Sequence, residues 1–249
     1  MPNPLAFDHV VFVLLVAVLP FVAARNYRRL VRRVAAGVPD ARVREYRRTT
    51  VIQWTVMLAI LAAWLLVGRT LEVLGFAVPG GLRLAVGAGV TVLGLAFLSW
   101  QWRVASGMDE QTRVKLRKQM ESVAPLIPRS TEEAAWFRIL SLTAGTCEEI
   151  VYRGYLVWYL AASLGPWPAA LVAGALFGVL HLYQGPAGIV RTGAIGIAMA
   201  VLYVGTGSLL WPMILHGAID LNGGAVGRRV LRNEPRGQPV PARDRAAFM

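Results

Sequence analysis

Residues 134–162 read AAWFRILSLTAGTCEEIVYRGYLVWYLAA. The run is long enough to cross a bilayer, which takes about 20 predominantly apolar residues, yet its centre holds Glu148, Glu149 and Arg153. Insertion scales put an ionised side chain at mid-bilayer at about 2.5–3.5 kcal/mol, so three amount to roughly 8–10 kcal/mol before any pairing. Charge kept at that cost marks a functional site.

Outward from this segment, further apolar runs cover 7–24, 50–67, 82–102, 167–183, 189–204 and a shorter one at 208–221. With 56% hydrophobic residues and a mean hydropathy of +0.52, the chain exceeds the apolar share of ordinary soluble domains. The reading is an all-α, polytopic transmembrane helix bundle with about seven spans. The first run is a retained anchor rather than a cleaved signal, because Asp8 precedes it while Arg25, Arg28 and Arg29 follow, the reverse of a signal peptide's charge order.

A net charge of +12 invites a nucleic-acid reading, but the basic residues are not spread over a face with interleaved aromatics. They sort by loop instead. Nine arginines lie in 25–48, six basic residues in 103–129, and Arg228, Arg229, Arg232, Arg236, Arg243 and Arg245 follow Gly227. Seven spans put all three segments on one side, which the positive-inside rule makes cytoplasmic, with the N-terminus outside and the C-terminus inside, most simply in a plasma or inner membrane. The expected partners are therefore the lipid bilayer and membrane-associated molecules, not nucleic acid. A single cysteine, Cys147, excludes an intramolecular disulfide, and an apolar setting beside two carboxylates argues against it as a nucleophile.

This divides the chain into three N-terminal spans (1–103), a charged linker (104–130), a four-span back part (131–224) and a basic, flexible tail (225–249). Ser130 and Glu133 form a capping-box pattern, so the fourth helix starts there. It can run to Leu164, about 50 Å at 1.5 Å per residue, before Gly165 and Pro166 stop it. Gly174, Gly178, Gly193, Gly196 and Ala200 are small residues that let helices approach closely.

Nearly all intramembrane ionisable groups fall in the back part. Glu149 and Arg153 are four apart and can pair, which leaves Glu148 without an ionic partner and suited to a general-base role. Phe177 and His181 form a second element, and His216 and Asp220, again four apart, a third. Each has a plain structural reading: a charge cluster, a core histidine, a local His–Asp bond that locks a helix.

Taken in order, Glu-Glu-x-x-x-Arg (Glu148, Glu149, Arg153), Phe-x-x-x-His (Phe177, His181) and His-x-x-x-Asp (His216, Asp220) resemble the CAAX protease and bacteriocin-processing (CPBP or Abi) family of intramembrane endopeptidases, over roughly 133–224. The resemblance implies that Glu148, helped by His181, activates a water, and that His216 with its i+4 partner stabilises the oxyanion. CAAX prenyl endopeptidases carry Asn where this chain has Asp220. An ionised carboxylate cannot donate as an amide does, so Asp220 is protonated, orients His216, or ligates a metal. Zinc accepts the ligand types of Glu148, His181, His216 and Asp220, but a ligated Glu148 could not also be the free base, and metal-free hydrolysis is the favoured reading. The implied substrate is a membrane-associated protein or lipidated peptide, a CAAX tail or a prokaryotic precursor. The alternatives are a non-catalytic membrane scaffold or immunity protein, and a proton-coupled transporter, although the chain shows no repeated halves.

Overall fold

The computed structural model describes residues 3–232, and throughout them the secondary structure is helical, without strands. We number the helices α1 (Ala6–Ala35), α2 (Ala41–Leu66), α3 (Gly81–Ser106), α4 (Glu110–Gln119), α5 (131–164), α6 (Pro166–Leu180), α7 (Gly185–Thr206) and α8 (Leu210–Val230). Each apolar run in the sequence has become a helix, and the protein is a helical membrane bundle. By length and hydropathy, Ala6–Ala35, Ala41–Leu66, Gly81–Ser106 and Leu182–Thr206 are each sufficient to cross a membrane. Many large apolar side chains on their surfaces, such as Phe21, Leu66, Leu82 and Leu93, are exposed, as a lipid-facing surface requires.

Helix α5 is the axis of the core. Ser130 Oγ accepts from Glu133 N at 3.1 Å and Glu133 Oε2 accepts from Ser130 N at 3.2 Å, so the capping box starts the helix where the sequence placed it. The helix is not regular throughout. Thr131–Glu149 is α-helical, Ile150–Leu156 forms a π turn, and Val157–Leu164 resumes the α form. The wide turn begins directly after the two glutamates and is buried along its whole length; such turns concentrate at functional sites. Gly165 (φ 79) ends the helix and Pro166 opens α6. Helix α8 begins at Leu210, which puts Pro212 in the first turn, where no amide donor is needed, and it continues to Val230 rather than stopping at residue 221. Arg228 and Arg229 are thus helical, not tail; the remainder of the expected flexible tail, with Arg236, Arg243 and Arg245, lies outside the described residues.

Small residues set the helix spacing. A Cβ on Gly145 would lie 2.7 Å from Gly217 N, and one on Gly178 would lie 2.8 Å from Gly193 Cα, so α5 meets α8, and α6 meets α7, at backbone contact. The front helices are not a separate layer. Gly87 and Gly94 of α3 receive Trp211 and Leu215 of α8, and Trp54 Nε1 of α2 donates to Thr143 Oγ1 of α5 at 3.2 Å.

The linker is folded against one end of the bundle. Asp109 caps α4 by accepting from Thr112 N at 2.7 Å, a bond that holds its carboxyl below the usual carboxylate range. The following turn, Glu121–Leu126, is pinned by Tyr27, which donates to Ser122 O, by Arg42 Nε to Pro125 O at 2.9 Å, and by Tyr46 Oη to Leu126 O at 2.6 Å. Arg117 reaches Val230 O at 3.5 Å, and Arg229 stacks on Trp102 at 4.7 Å. The described parts of the three basic segments are therefore gathered at one end of the bundle.

Candidate active site

The two adjacent glutamates have different surroundings. Glu149 is fully buried; its Oε1 accepts from Arg153 Nη1 at 2.8 Å and also meets His216 Nδ1 at 2.6 Å. The i,i+4 pair expected from helical spacing is present, and Arg153 is further held by Gly196 O at 3.2 Å and stacks over the Phe177 ring at 4.3 Å. That arrangement answers the cost of a guanidinium in lipid: one counter-charge, one carbonyl and one π face.

Glu148 has no arginine. It is not bare, however, because Gln53 Nε2 of α2 donates to its Oε1 at 2.6 Å. Its Oε2 is buried without a protein hydrogen bond, and His216 Nε2 stands 3.9 Å from it. The sequence reading placed all the chemistry in the back part and missed Gln53. The available signal was an amide within the apolar run 50–67, since polar groups in a span are rarely idle.

The two histidines are set in different ways. His181 lies at the C-cap of α6, outside the regular helix, with Nδ1 2.9 Å from Phe177 O. A carbonyl only accepts, so Nδ1 carries the proton and Nε2 keeps the lone pair in the neutral ring. For His216 the same logic applies to Nδ1, which faces a carboxylate oxygen. Its orienting partner is Glu149, whereas Asp220 Oδ2 stands 3.8 Å from Nε2, beyond hydrogen-bond reach. The local His–Asp bond that the spacing suggested is therefore not formed. Asp220 is the outermost carboxylate, its side chain 36% exposed against 15% for Glu148. Asn222 turns to Gln101 of α3 at 3.2 Å, away from His216 as helical geometry required.

Phe177 is the hub of the site. Its ring lies 4.8 Å from His181, 5.8 Å from His216 and 5.3 Å from Tyr152. The helices thus bring Glu148, Glu149, Arg153, Phe177, His181 and His216 into one constellation, with Asp220 at its rim. Beyond His181, Tyr183 stacks towards Tyr27 at 5.0 Å, which connects the site to the basic end of the bundle. Cys147 is buried in the apolar core. Among the described residues, no three His, Cys, Asp or Glu side chains converge to hold a metal ion.

Residues 130–222 match a protein family described as Rce1-like, Type II CAAX prenyl endopeptidase. The matched stretch coincides closely with the 133–224 bounds of the motif resemblance and leaves α1, α2, α3 and α4 outside it. No curated protein and no solved structure matches the chain.

Proposed function

We propose that the chain is an intramembrane endopeptidase working by a glutamate-activated water, a reading supported by the match of residues 130–222 to the Rce1-like family of type II CAAX prenyl endopeptidases. Glu148 Oε2 takes a proton from water, and the hydroxide attacks the peptide carbonyl carbon. Collapse of the tetrahedral adduct breaks the C–N bond, and Glu148 returns the proton to the departing amine. His216, held through Nδ1 by Glu149, points Nε2 towards Glu148 and Asp220 and donates to the oxyanion; carboxylates at 2.6, 3.8 and 3.9 Å balance the charge of its doubly protonated ring. The lone pair of His181 Nε2 assists water deprotonation.

The observation that carries this reading is the division of labour between the glutamates. Each glutamate keeps one buried oxygen without a protein partner, but Glu149 Oε1 takes both Arg153 and His216, whereas Glu148 is bonded only by the neutral amide of Gln53. A purely structural charge cluster would satisfy both. The substrate class is a membrane-associated protein or peptide, with a prenylated CAAX tail as the form suggested by the family description. The basic end of the bundle faces the cytoplasm, and the site opens towards it.

The test compares newly formed protein termini in host membranes carrying wild type or Glu148→Ala at matched abundance. Termini near membrane segments that appear only with wild type support proteolysis; identical termini under deep coverage refute it and return the transporter and scaffold readings.

A further inference from the structure

We propose that Gln53, on α2 and outside the segment that matches the family, is the positioning residue for Glu148. The inference rests on Glu148 being the general base. Gln53 Nε2 to Glu148 Oε1, at 2.6 Å, is a bond between the front and back parts of the chain inside the site. A carboxylate is acceptor-only when ionised, so the amide nitrogen must be the group facing it, which fixes the orientation of the amide. Trp54, the next residue, donates to Thr143 one helical turn before Cys147, so this turn of α2 is docked on α5 at two points.

The consequence is an assignment of roles to the two oxygens of Glu148. Oε1 is engaged by Gln53, and Oε2, on the side of His216, is the oxygen that takes the proton. A carboxylate free to rotate would present either oxygen in many orientations, and misplacement by about 1 Å can cost on the order of a hundredfold in rate. Gln53 Oε1 is itself buried without a protein partner, so the amide also offers an unfilled acceptor next to Glu148.

The experiment uses the full chain in proteoliposomes, with Gln53→Leu, which keeps the volume and removes the donor, and Gln53→Glu, which replaces the donor by an acceptor. Trp54→Phe serves as a control for docking of α2. On a prenylated peptide ending in a CAAX sequence, both Gln53 variants are expected to lose roughly tenfold to a hundredfold in kcat with KM unchanged, while Trp54→Phe keeps its kcat. Independently of turnover, the carboxylate infrared band assigned to Glu148 by its absence in Glu148→Gln should shift in Gln53→Leu. An unmoved band, or a Gln53→Leu kcat within twofold of wild type, overturns the proposal. Cleavage that survives in Glu148→Gln instead overturns the general-base reading, and the infrared band then judges the Gln53 contact by itself.

Discussion

At the end of the bundle away from the basic segments, Asp8 meets Arg69; in its middle, Glu149 meets Arg153. Both are arginine–carboxylate pairs removed from solvent. Around the first, both carboxylate oxygens are matched: Asp8 accepts from both terminal nitrogens of Arg69 at 3.0 and 2.7 Å, from Tyr155 Oη at 2.8 Å and from Leu5 N at 2.7 Å. The guanidinium also lies 4.5 Å from the Trp158 ring and 5.0 Å from Trp64. Around the second, one oxygen of Glu149 takes both cationic partners while its other oxygen, Glu148 Oε2 and the Tyr152 hydroxyl are buried without partners. A membrane protein can afford a complete charge cluster as a fastening; an incomplete one is kept for what it will bind.

The comparison breaks most directly at Glu148. Glu148→Ala should lower cleavage by about a thousandfold or more, within the range of a lost general base, with the thermal midpoint in detergent close to wild type; loss of folding with no specific loss of rate would erase the distinction. Arg69→Ala should do the opposite. It leaves Asp8 buried and unpaired, and about 3 kcal/mol or more of stability should be lost in denaturation measurements, while the turnover of the folded fraction is retained. An Arg69→Ala protein that unfolds normally but cannot cleave would place the outer cluster in the mechanism.

Smaller effects sharpen the picture. Asp220→Asn keeps the shape and removes one of the charges facing His216; a roughly tenfold or smaller change in kcat is expected from a contact at 3.8 Å, and a thousandfold loss would make Asp220 a direct participant. Ser130→Ala removes the cap of α5 and should cost about 1 kcal/mol in stability with no change in KM. Dialysis against a strong chelator should leave the rate unchanged, as measured on the same reporter peptide; loss of activity restored by added zinc would contradict the metal-free mechanism.

Much of the site was legible in the sequence because helical spacing is a local rule. Glu149 and Arg153 pair at i,i+4, the capping box at Ser130 forms, and the apolar runs become helices in the expected order. The missing parts depend on which faces of distant helices meet. Gln53 is one amide in an apolar run, and only the docking of α2 on α5 aims it at Glu148. The exchange of Asp220 for Glu149 as the partner of His216 has the same origin, since the contact at residue separation 67 replaces the one at separation four. Nothing in the residue pattern of 150–156 announces a π turn, and Asp8 reads as a flanking charge until Arg69 is folded back onto it.

The backbone contact at Gly145 and Gly217 has a consequence for how closely this machinery can be copied with variation. Gly145 lies one turn before Glu148 and Glu149, and Gly217 directly follows His216. The missing side chains act as a thickness gauge between the two helices that carry Glu149 and His216: any added atom widens the gap, and the 2.6 Å His216–Glu149 bond has no slack to absorb it. The tolerance of the distances within the candidate site is thus written in two residues that carry no functional group at all.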